Sequence, residues 1–73
     1  MNAPDVLGHI DLAPARRVRV ALTEDKGARV LDLRLCDRLG STWFPGKSGV
    51  TVPLDRLHDL SRLIDEAAGR AAA

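Results

Sequence analysis

At Pro53 the apolar residues change their spacing, from every second position to every third or fourth, and that change limits the chain to a sheet followed by a helix. Upstream, Val18, Val20 and Leu22 alternate with Arg17, Arg19 and Ala21, the period of a half-buried strand with a cationic outer face. Glu24-Asp25-Lys26-Gly27 then reads as a hairpin turn, with Gly27 able to take a positive φ. A second strand over about residues 29–36 sets Leu31, Leu33 and Leu35 against Val30, Asp32, Arg34 and Cys36. Each strand thus has an apolar and a polar side, as in an antiparallel sheet covered on one face. Asp37 to Ser41 reads as a polar loop closed by Gly40, and Thr42-Trp43-Phe44 as a short third strand. Pro45-Gly46 interrupts it, placing it at an edge or a bulge because proline removes a ladder donor. Val50-Thr51-Val52 is the expected fourth strand.

Downstream, Pro53 suits a first helical position and Asp55 the positive end of the helix dipole. Leu57, Leu60, Ile64 and Ala67 form a central stripe that Leu54 and Leu63 widen beyond the ~100° arc facing a single core. The sheet can cover part of that arc, and the rest asks for a helix from a second chain. Leu57, Leu60, Leu63, Ile64 and Ala67 are therefore the expected dimer contacts. Residues 1–7 are expected to be a flexible leader, 8–68 the domain, and 69–73 a frayed tail.

Length supports an oligomer. A chain of 73 residues buries only about 60% of its unfolded surface. Its one cysteine, Cys36, forms no internal disulfide, and with His9 and His58 it makes no ordinary structural zinc site. A core without staples commonly needs a partner subunit. No basic-then-apolar leader and no run of the roughly 18 apolar residues of a spanning helix is present. With the free thiol, this points to the cytoplasm. Nine arginines against two lysines, with ten alanines, suggest a GC-rich bacterial genome.

The net charge of +1 hides an uneven distribution: residues 15–50 carry eight basic groups against four acidic ones, while both flanks are mildly acidic. A basic middle fits an anionic partner held by one face. Arg17, Arg19 and Arg34 fall on the non-core sides of strands that should pair, Lys26 lies in their turn, and Lys47 follows Trp43-Phe44. Cations with interleaved rings on a sheet suit a single strand of nucleic acid, following phosphates while unpaired bases stack. Trp43 also suits a core position, leaving Phe44, on the opposite side of a regular strand, as the freer stacking ring. The three arginines also suit ion pairing to Asp32 across the strands. Duplex DNA fits less well, because no helix has a basic face for a major groove.

Catalysis finds little footing. Gly46-Lys47-Ser48 echoes the end of a phosphate-binding loop without its upstream glycine or following long helix. Cys36 and His58 lack a third, orienting group. No cofactor is expected.

In order and spacing, three stretches resemble the positive cofactor four family of transcriptional coactivators and their bacterial relatives. They are Lys26-Gly27 leading into Val30-Leu31-Asp32-Leu33-Arg34, then Trp43-Phe44-Pro45-Gly46-Lys47-Ser48-Gly49-Val50-Thr51-Val52, then the amphipathic helix. The resemblance spans about residues 8–68. It implies an α+β fold: a curved four-stranded antiparallel sheet and one C-terminal helix, dimerising through the helix. It also implies basic channels for single-stranded DNA, no catalysis, and a setting near the transcription machinery and the nucleoid. Lys26, Arg34 and Lys47 match basic contact positions of the family, and Trp43 a commonly aromatic one. Leu35-Cys36-Asp37 and Asp25 stand where the family often has rings, Phe44 where lysine is common, and Ser48 where a second cation follows the turn. These departures imply weaker binding. A dimeric protein-interaction module and an RNA-binding variant are the alternative readings.

Overall fold

The computed structural model describes residues 3–72. Four strands, β1 (Asp5–Ala13), β2 (Arg16–Asp25), β3 (Ala28–Leu39) and β4 (Thr42–Pro53), form one antiparallel sheet in the order β1-β2-β3-β4. A single 3-10 turn (Leu54–Arg56) leads into the helix α1 (Leu57–Ala72). The expected α+β class and strand count are found, but two of the strands differ from those expected.

The β2–β3 hairpin is the one expected. Asp25 pairs with Ala28, leaving Lys26 and Gly27 as a two-residue loop with φ of 52° and 83°. Two positive φ angles in succession mark the turn whose twist matches that of the flanking strands. Leu39 likewise pairs with Thr42 across Gly40-Ser41, so Asp37–Leu39 continue β3 and are not the expected polar loop. The segments expected as third and fourth strands are one strand, β4, which runs through Pro45-Gly46. Proline is accommodated there because β4 is an edge strand and its pairing is irregular between Arg34 and Cys36.

The remaining strand, β1, begins inside the expected leader, with Asp5 and Val6 already paired with Leu22 and Ala21 of β2; Met1 and Asn2 lie outside the described residues. Register shifts between Val6 and Gly8 and between Asp11 and Ala13 break its alternation. At its end Ala15 O accepts a bond from Arg38 N at 2.9 Å, tying the β1–β2 turn to β3. Pro53 closes β4 and precedes the 3-10 turn, with φ −58° and ψ 146°, so it is not itself helical. The helix continues through Gly69–Ala72 of the expected tail, and Ala73 lies outside the described residues.

The sheet has two unlike faces. Val18, Val20, Leu22, Leu31, Leu33, Leu35 and Val52 share one face and are all only half-buried. The other carries Arg17, Arg19 and Arg34, and it holds the most buried residues: Ala21, Val30, Cys36 and Asp32. Arginine side chains lie along the sheet and cover its small residues, with the guanidiniums of Arg19 and Arg34 only partly exposed. On the leucine face, by contrast, none of the described elements packs broadly across the strands. The 3-10 turn abuts β3, but α1 has no extended contact with any strand.

The dimensions agree. The radius of gyration is 13.8 Å, against about 11 Å for a compact chain of this length. Accessible surface is 5675 Å², against about 4,400 Å² expected from the mass. On α1, Leu57 and Leu60 are half-buried, whereas Leu63, Ile64 and Ala67 are exposed.

Candidate nucleic-acid interface

Arg19 stands directly opposite Arg34 across β2 and β3, a pairing of like charges that would destabilise the sheet unless a carboxylate intervened. Asp32 supplies it. Lying two residues before Arg34 on the same face, it accepts bonds from Arg34 Nε at 3.1 Å and Nη2 at 2.9 Å, one to each carboxylate oxygen. Arg19 Nη2 approaches the same group at 3.5 Å. With Asp32 only 3% exposed, this is a buried carboxylate held by two guanidiniums, with one positive charge in excess. The bond to Asp32 raises the pKa of Arg34 and burial partly opposes it, so Arg34 stays cationic.

Arg34 also reaches the next strand. Its Nη1 donates to Gly46 O at 3.1 Å and Lys47 O at 3.3 Å. The residue facing Arg34 on β4 is Gly49. A Cβ there would lie 2.7 Å from the backbone oxygen of Leu33, which excludes a side chain, and would crowd Arg34 Cζ at 3.1 Å.

Toward the other end of this face, Trp43 pairs with Arg38. The Arg17 guanidinium lies 4.1 Å from the indole centroid and that of Arg38 5.6 Å away, both within cation–π range. The Nε atoms of Arg17 and Arg19 are buried without a hydrogen-bond partner. Among the described residues, no carboxylate comes within ion-pair distance of Arg17, Lys26, Arg38 or Lys47. Lys26 and Lys47 are exposed, in the β2–β3 turn and the irregular part of β4. The ten steps along β3 from Ala28 to Arg38 set the ends of this cationic face about 33 Å apart at ~3.3 Å per residue.

Solved structures share this arrangement of sheet and helix. A PC4 homologue from Burkholderia pseudomallei K96243, in an orthorhombic crystal form, superposes with a TM-score of 0.82 over 93% of both chains, at 16% identity. In its tetragonal form the TM-score is 0.79, over 90% of this chain and 98% of that one, again at 16% identity. The fold is that of a PC4 homologue. No protein-family model and no curated protein matches the chain by sequence.

On this PC4-type sheet the expected site residues fall into separate groups. Arg17 and Trp43 come together, as do Arg19 and Arg34 through Asp32, whereas Lys26 and Lys47 stand apart from both clusters. Trp43 belongs to the cationic face and is half-buried. Phe44 pairs with Asp37 and points to the leucine face, so it shares no surface with Trp43. The expectation of Phe44 as the freer stacking ring places it on the wrong side for these arginines. Arg38 is the site residue that sequence reasoning misses: it continues the Asp32-Arg34-Cys36 alternation but lies in the segment Asp37 to Ser41 expected as a loop. Cys36 is buried and donates weakly to Arg34 O at 3.8 Å, while His58 is exposed on the outlying helix, so the two form no pair. Among the described residues, no cluster of His, Cys, Asp or Glu could hold a metal ion, and no helix is long and apolar enough to cross a membrane.

Proposed function

We propose that this chain is a non-catalytic, homodimeric single-stranded-DNA-binding protein of the coactivator type, acting near the transcription machinery in the bacterial cytoplasm. The observation that carries the reading is a group of cations with no carboxylate partner among the described residues, Arg17, Lys26, Arg38 and Lys47, distributed along a sheet that also presents Trp43. Cations spaced along a sheet follow a flexible phosphate backbone, which a single strand can bend to meet. A duplex needs a basic element in a groove, and α1 mixes Arg62 and Arg70 with Asp59, Asp65 and Glu66. The PC4-type fold supports the same reading, with Arg19 completing the binding face.

Dimerisation through Leu57, Leu60, Leu63, Ile64 and Ala67 answers the surplus surface. The chain exposes roughly 1,300 Å² more than its mass calls for, and a subunit in a stable complex commonly buries ~800 Å² or more. The leucine face and the free helix are the apolar part of that excess.

The test is a fluorescence-anisotropy titration with labelled oligo(dT) of about 20 nucleotides, beside a duplex and an RNA of equal length. With four phosphates neutralised per subunit, log K should fall with log salt at a slope of about −3. Preference for the DNA single strand with that slope is the expected result. Preference for RNA would favour the RNA-binding variant, and absence of binding to all three at low salt would favour a protein-interaction module.

A further inference from the structure

We infer that Arg34 is a positioning residue and not a phosphate ligand: it moors the bulged segment Pro45–Ser48 of β4 and thereby sets where Lys47 meets the bound strand. The inference rests on the single-strand reading above but begins from geometry that does not depend on it. Arg34 pairs with Gly49 and Cys36 with Pro45, so residues 46–48 of β4 stand opposite Leu35 alone. Two residues in excess cannot all join a regular ladder, and their carbonyls need other donors. Arg34 Nη1 provides them for both Gly46 and Lys47.

A guanidinium has five N–H donors. Four of those of Arg34 bind both oxygens of Asp32 and the two β4 carbonyls, leaving one Nη2 N–H, so most of the fork is committed within the protein. Arg17, Arg38 and Lys47 have no such commitments among the described residues. Gly49 lies beside the same guanidinium: a Cβ there would come 3.1 Å from Arg34 Cζ and 3.2 Å from Nη2, though its hard clash is with the Leu33 backbone oxygen at 2.7 Å. Lysine cannot do this work: its ammonium is a point charge without a planar fork, although it meets a phosphate adequately. Arg34→Lys therefore separates the two roles.

The experiment is a double-mutant cycle between Arg34→Lys and Lys47→Ala, read by oligo(dT) affinity, with hydrogen exchange at the amides of residues 46–49 as a second readout. In the presence of Lys47, Arg34→Lys should weaken binding about tenfold, and in the Lys47→Ala background it should change little, because residues acting through one another are not additive. Exchange at residues 46–49 should accelerate in Arg34→Lys and stay as in the wild type in Lys47→Ala. Wild-type affinity in Arg34→Lys, a loss that adds in full to that of Lys47→Ala, or unchanged exchange would each overturn the inference. Arg34→Gln, run through the same cycle, replaces Arg34→Lys should the latter not fold by circular dichroism. If the wild type binds no strand, the single-strand reading fails, and the exchange comparison alone decides whether Arg34 moors the bulge.

Discussion

The two faces of the sheet reverse the usual relation between polarity and burial. The face with arginines contains the buried residues Ala21, Val30, Asp32 and Cys36, while the leucines opposite remain half-open. The cationic face is largely covered within one chain, because Asp32 holds Arg19 and Arg34 and the arginine stems lie over the strands beneath. The leucine face has no such internal means. It has apolar area, worth roughly 25 cal/mol per Å² once removed from water, and no element of its own chain to cover it. One face is thus covered by folding and the other left open, so under the proposed dimer the two should respond differently to substitution.

The largest effect is expected on the unfinished side. Ile64→Asp changes a residue 55% exposed in the single chain, so a self-sufficient monomer would tolerate it. In a dimer closed by α1 it buries a charge, and sedimentation should show monomer, with loss of cooperative melting, where the wild type is dimeric. A wild type that itself sediments as a folded monomer would break the contrast between the faces.

Next comes the centre of the finished face. Asp32→Ala removes the carboxylate shared by Arg19 and Arg34 and should cost about 3–5 kcal/mol, the usual penalty for leaving a buried charge without its partner. Urea denaturation at fixed protein concentration measures it, since stability of an associating chain depends on concentration. A cost near zero would mean that solvent, and not Asp32, compensates the arginines. The smallest effect is expected at Arg70→Ala. It removes a 2.7 Å ion pair with Glu66 between exposed side chains on the helix, and surface pairs of this kind rarely alter stability measurably. An appreciable fall in melting temperature would place Arg70 inside the association surface.

The sequence announced this division of faces better than it announced the strands. Alternation in residues 17–22 and 29–36 was readable because β2 and β3 pair without irregularity from Arg16–Asp37 to Asp25–Ala28. Strand β1 was not, because its two register shifts send apolar residues to both faces and imitate a loose leader. In β4, Pro45-Gly46 looked like a break. What carries the strand across it is a side chain from β3, a long-range contact that local pattern cannot register. The same distance effect hid the site's inner order. Arg34 and Asp32 were visibly on one face, but the reach of Arg34 to β4 was not, and ending β3 at residue 36 concealed Arg38.

Cys36 gives the cationic face a built-in clock. It is the only thiol in the chain and is 4% exposed, set between Arg17 on β2 and Pro45 on β4. An alkylating reagent reaches that sulfur only when the side chains over it swing aside or the strands open, so the labelling rate counts openings of this face. A bound strand that holds β2 and β4 together would slow the clock, whatever the sequence of its bases.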